Sequence, residues 1–189
     1  MIIDAHGHVF PRFGTDSEGQ LGTQQLKFIQ HHTQFHGQGW RRIRDGERAA
    51  PHLLLPSGDA FDDMPDVAFR VGVFGRLECT VAGEDYFLQW YPCSLHDNAA
   101  PPELLTAYMD YLGVDAAVLQ HDHVYGSLNS YLSECADRFP GRFLPLAQIR
   151  EWEADRTEQV ERLEHAVSTL QLRGLYFAVE AFGLAGWRL

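Results

Sequence analysis

Lysine is nearly missing from this chain: Lys27 is the single one, beside fourteen arginines, so chemistry that needs a Schiff-base or carbamylated lysine has one residue to draw on. Basic charge is also short, with 15 Lys and Arg against 26 Asp and Glu and a net charge of -11, a balance that repels phosphate backbones and anionic lipid. Nucleic acid and membrane surfaces are therefore poor partners. Cysteine is sparse and unpaired in pattern: Cys79, Cys93 and Cys135 contain no CxxC, which excludes a disulfide framework and a zinc-knuckle spacing and fits a reducing cytoplasm. No apolar run approaches the roughly 18 residues of a spanning helix, and the opening MIIDAHGHVF has no secretory leader pattern. Serine-hydrolase elbows, P-loops and GxGxxG fingerprints are absent as well, which removes support for nucleophilic serine, phosphoryl-transfer and dinucleotide chemistry.

What is present is enough apolar residue, 45% of 189, to bury a core. Ile2 to His6 reads as a short buried strand. From about Arg12 to Ala100 the chain is rich in Gly, Pro, Asp and Gln with weak periodicity, as in a long irregular excursion. A helix is predicted near Gln24 to Phe35, and Arg76–Val81 and Tyr86–Tyr91 flank turn-forming residues 82 to 85 as a hairpin. After Ala100 the pattern is regular. Pro101 and Pro102 open a helix closed by Gly113, and VDAAVLQ from Val114 to Gln120 has the composition of a covered strand. Leu128 to Phe139 forms a second helix stopped by Pro140 and Gly141, followed by a strand from Phe143 to Ile149. Val160, Leu163, Val167 and Leu170 mark a third helix, and Gly174 precedes a strand over Leu175 to Val179. Strands alternating with helices predict a parallel sheet, either open and doubly wound or part of a closed barrel.

His6 and His8 stand two apart at the end of the first strand, so their imidazoles share one side and can meet one metal. Asp4 has the same parity and is a candidate to orient a ligand imidazole from the outer shell. His121, Asp122 and His123 follow the second strand directly and are candidates for substrate binding or acid-base catalysis, with loop ordering as the alternative. His31, His32 and His36 form another cluster, read as a solvated or substrate-gating helix face rather than a metal site.

MIIDAHGHVF, with Asp4, His6 and His8 as D-x-H-x-H, resembles the opening strand of the amidohydrolase-related family, which includes aminocarboxymuconate-semialdehyde decarboxylase-like enzymes. YMDYLGVDAAVLQHDHVYG, Asn129, FPGRFLPLAQI and RGLYFAV are similar to its following elements in order. The resemblance implies a (β/α)8 barrel of which this chain carries about the first four βα units, with the stretch from 12 to 100 over the barrel mouth. It also implies one divalent metal, zinc first with manganese or iron as alternatives. His6 and His8 would be two ligands, and the others would come from a later histidine and aspartate that have no counterpart here. LYFAVEAF has no lysine at the fourth strand's end, which favours one metal over two, with Glu180 as a polar contact. Arg76, Glu78, Trp90 and His96 lie in or beside the hairpin, which in the related enzymes can cover the barrel mouth; of these Arg76 and Trp90 are candidates for contacts to substrate, and Glu78 and His96 have no assigned role. The implied activity is hydrolysis or non-oxidative decarboxylation of a small carboxylate, lactone or amide. The alternative is a half-barrel without catalysis that binds a ligand or pairs with a second copy of itself.

Overall fold

The computed structural model describes residues 1–15, 23–33, 39–49 and 64–177, which fall into two compact units. One unit comprises Met1–Phe10 and Ala100–Leu189, the other Pro11–Ala99.

The first unit is built on a three-stranded parallel sheet, order β1-β6-β7, with β1 at Ile3–Gly7, β6 at Ala116–Leu119 and β7 at Phe143–Pro145. Its helices are α2 (Pro102–Leu112), α3 (Asn129–Arg138) and α4 (Thr157–Ser168). Pro102 starts α2 where a missing N–H costs nothing, and Gly113 ends it in the left-handed region at φ 71°, its N–H closing on the Asp110 and Met109 carbonyls. Met109, Leu132, Cys135 and Ala166 from the three helices join Val9, Ala117, Leu119 and Phe143 in one buried cluster. Each large side chain buried there stabilises the unit by about 1.5–3 kcal/mol. On β1 the core-facing parity belongs to Gly7 and Val9: a Cβ at Gly7 would touch Leu105, Ala117 and Leu119. Side chains alternate along a strand, so His6 and His8 project from the opposite side.

The predicted half of a (β/α)8 barrel is not what forms. The ladder has three strands, and beyond β7 parallel pairing shrinks to a single bridge, Ala147 with Leu175. The expected fourth strand, Leu175 to Val179, thus keeps one pairing residue, with positions 178 and 179 outside the described residues. Among the described residues no strand pairs with the outer side of β1, so nothing curls this sheet toward closure. The βα periodicity was a correct signal of parallel crossovers but carries no information on closure, which depends on tilt and stagger across many strands. The same edge position explains why β1 is not the buried strand its composition predicts: Ile2 and Ile3 are 60% and 43% exposed.

The second unit corrects the expectation of an irregular excursion. It has its own antiparallel sheet, order β2-β5-β4-β3, from β2 (Arg41–Arg42), β3 (Arg70–Val71), β4 (Arg76–Val81) and β5 (Glu84–Gln89), plus helix α1 at Thr23–His32. The hairpin turn is tighter than predicted. Only Ala82 and Gly83 lie between the strands, both at positive φ (52° and 78°), the two-residue geometry whose twist matches the flanking strands. Leu77, Cys79 and Leu88 are fully buried, and Arg70 ties Glu78, Thr80 and Asp85 together on the sheet. Gly75 (φ 75°) is required where the chain crosses itself, since a Cβ there would lie 2.2 Å from the Tyr91 carbonyl oxygen. Asn98, fully buried, accepts from the Gly75 N–H and donates to the Gly72 and Arg76 carbonyls, doing with a side chain what a further strand would do with backbone.

Candidate metal centre

Parallel pairing sets the register of the site. Gly7 lies beside Leu119, so the residue after each, His8 and Gln120, leave the two strands side by side. His8 Nδ1 lies 2.5 Å from the Gln120 backbone oxygen, and because a carbonyl only accepts, Nδ1 carries the ring proton and Nε2 keeps its lone pair. That lone pair meets His6 Nε2 at 2.8 Å, the two rings standing edge to face at 76°. The Tyr125 ring stacks on His8 at 5.1 Å and is itself backed by Phe10 at 4.9 Å. Burial lowers the His8 pKa below the ordinary histidine value, against the Gln120 bond that raises it, so the ring is held neutral.

With no metal, one proton between the two Nε2 atoms makes an ordinary imidazole hydrogen bond. For a divalent cation to take the place of that hydrogen bond, the His6 proton must sit on its own Nδ1, which leaves two neutral rings with their Nε2 lone pairs directed at one ion; a backbone carbonyl on the far nitrogen of His8 is the outer-shell contact that fixes a ligand tautomer. The pair therefore fits a metal as two of its ligands. Among the described residues no group of three or more His, Cys, Asp or Glu is gathered around a common point, so the set is partial.

Asp4 finds a backbone partner at the strand end. Its carboxylate accepts from the backbone N–H of His6 at 3.0 Å, ordering the strand end rather than an imidazole nitrogen.

The run after β6 divides into three roles. His121 is 1% exposed, and neither ring nitrogen has a hydrogen-bond partner among the described residues. Burial drives its pKa down to about 3, with the neighbouring His8 and His123 adding to the shift, so it stays neutral at any physiological pH. Asp122 caps a short 3-10 turn over His123–Tyr125, accepting from the Val124 N–H at 2.8 Å, which is the loop-ordering alternative. His123 contacts a residue that the sequence reading missed: its Nε2 meets Oε2 of Glu151, a carboxylate with a fully buried side chain. The signal was available, since Glu151 stands just past the expected end of the third strand, where parallel folds place chemistry.

The remaining candidates belong to the second unit or lie outside the described residues. Arg76 and Trp90 belong to the second unit: the Arg76 guanidinium lies 4.3 Å over the Phe87 ring, and Trp90 packs near Phe13, Tyr91 and His32. Glu78 is paired with Arg70, and His96 with Asp97. His31 and His32 end α1, with His32 stacked on Phe28; His36 and Glu180 lie outside the described residues.

No protein-family model matches this chain, and no curated protein matches it either.

Proposed function

We propose that the chain is a metal-dependent hydrolase or non-oxidative carboxy-lyase of the amidohydrolase-related kind, acting on a small carboxylate, lactone or amide. The observation that carries this reading is the meeting of the His6 and His8 Nε2 atoms with His8 locked in one tautomer by the Gln120 carbonyl. His6 and His8 would hold one divalent ion, zinc by preference for imidazole nitrogen, with manganese or iron as alternatives. When bound, such an ion supplies water activation near neutral pH or polarises a substrate carbonyl or carboxylate. The chain's own contribution is orientation: the Tyr125 and Phe10 rings fix the His8 plane. His121, buried and neutral, lies behind the site with its ring 6.1 Å from the Tyr125 ring that stacks on His8.

The test is metal binding by the whole chain. Titration calorimetry with zinc should give about one ion per chain, lost in the His6→Ala, His8→Ala double variant; equal binding by both proteins would sink the assignment. A second reading, a binding module that pairs with another copy, is favoured by the exposed Ile2 and Ile3 on an edge strand. Sedimentation at several concentrations separates the two, since a monomer that binds zinc supports the first alone.

A further inference from the structure

The histidine pair on β1 is matched by a second pair on the next two strand ends. His123 opens the turn after β6, and Glu151 opens the turn after β7. Their contact joins Nε2 to Oε2, with the histidine side chain 14% exposed and the carboxylate 0%. Trp152, next to Glu151, sets its ring edge to face against His123 at 4.7 Å. The same short turn that begins with His123 ends with Tyr125, the residue stacked on His8, so three residues of chain link the two pairs.

As a carboxylate, Glu151 would accept but not donate, which puts the proton on the ring nitrogen facing it. In a neutral ring the proton-accepting nitrogen is then Nδ1. Burying an ionised carboxylate carries a penalty of several kcal/mol that hydrogen bonds must offset, and apolar side chains of similar volume often fill such a place at no loss of stability. A buried acid that fixes the proton on a partly exposed imidazole is what proton transfer requires and what packing does not.

We propose that Glu151 is a positioning residue that holds His123 as the proton-transfer group of the site. The proposal rests on the hydrolytic form of the function above. In that reaction an O–H bond of water breaks, its proton goes to His123 Nδ1, and the electron pair forms the new bond to the substrate carbonyl carbon. The imidazolium, paired with the Glu151 carboxylate, then returns the proton to the leaving oxygen or nitrogen as its bond to carbon breaks.

The experiment uses the zinc-loaded whole chain with 4-nitrophenyl acetate as the probe, comparing wild type with Glu151→Gln, Glu151→Asp, Glu151→Leu and His123→Gln. Nitrogen-15 spectra of the histidine rings are recorded in parallel. Expected are a kcat lower by about 100-fold in Glu151→Gln and His123→Gln with KM nearly unchanged, and partial recovery in Glu151→Asp. A single His123 tautomer in wild type should become a mixture in Glu151→Leu. A folded Glu151→Gln with wild-type kcat, or no hydrolysis by the zinc-loaded wild type, overturns the proposal. Should Glu151→Gln not fold, Glu151→Asp and His123→Gln decide by the same comparison. Zinc binding lost with His6 and His8 but untouched at Glu151 separates the two failures: zinc bound with indifferent Glu151 variants removes this inference alone, whereas no zinc bound removes the metal site itself.

Discussion

His8 donates its Nδ1 proton to the backbone oxygen of Gln120 at 2.5 Å, tying the end of β1 to the end of β6 and directing Nε2 at His6. The two histidines should therefore respond differently to removal. His8→Ala should lose the inter-strand bond and about 1 kcal/mol of stability, whereas the exposed His6→Ala should stay within about 0.5 kcal/mol of wild type in urea melts. Both should weaken zinc by more than the roughly 10- to 100-fold typical of losing an outer-shell partner.

Acid should expose His121. Its folded pKa, near 3, lies below the ordinary 6.5, so the unfolded chain binds the extra proton: this contribution is complete above pH 6.5 and is lost as the pH falls toward 3. Between pH 7 and 5.5 the loss is about 1.3 kcal/mol, from one proton at about 1.36 kcal/mol per pH unit. His121→Leu, measured by urea unfolding in chelator, should show a pH dependence shallower by that amount. Equal slopes would mean that the ring reaches water.

The second unit depends on one amide. Asn98→Ala strands the Gly75 N–H and removes a donor from the Gly72 and Arg76 carbonyls, the latter keeping the Gly72 N–H at 3.0 Å, and should cost about 2–4 kcal/mol. Asn98→Asp keeps the acceptor and loses both donations, so a loss of similar size is expected. A midpoint shift in urea without a change of slope would check this.

Thiol chemistry should single out Cys93. Burial pushes the Cys79 thiol up to about 12 and the Cys135 thiol to about 11, while Cys93 is exposed. A disulfide-exchange reagent should titrate one thiol in the native chain and three in denaturant. Three fast-reacting thiols without denaturant would contradict the packing of both units.

Elements defined by nearby residues were legible. The Pro101–Pro102 and Gly113 signals bracket α2, the apolar spacing around Leu132 and Cys135 marks α3, and β4 and β5 form the predicted hairpin. The His6–His8 pair was legible because strand parity is a local rule. Glu151 was missed because its meaning depends on His123, 28 positions away in the chain. For Asp4, parity gave the side of the strand but not which donor the carboxylate finds, which is the His6 N–H.

Composition alone argues against nucleic acid and anionic membrane surfaces as partners, and no helix among the described residues is long and apolar enough to cross a membrane. Hydrophobic spacing marked α2, α3, α4, β6 and β7, since 3.6- and 2-residue periods are consequences of local backbone geometry, but not β2 or β3. Pairing partners were decided in three dimensions. Whether β1 would be central or an edge, and whether residues 11 to 99 would wander or close a sheet on themselves, depends on contacts between distant segments whose stability is collective. The same holds for the tautomer of His8, the neutrality of His121 and the carboxylate on His123: each is fixed by burial or by a neighbour brought in from another strand end, and none of the three exists until the sheet has formed.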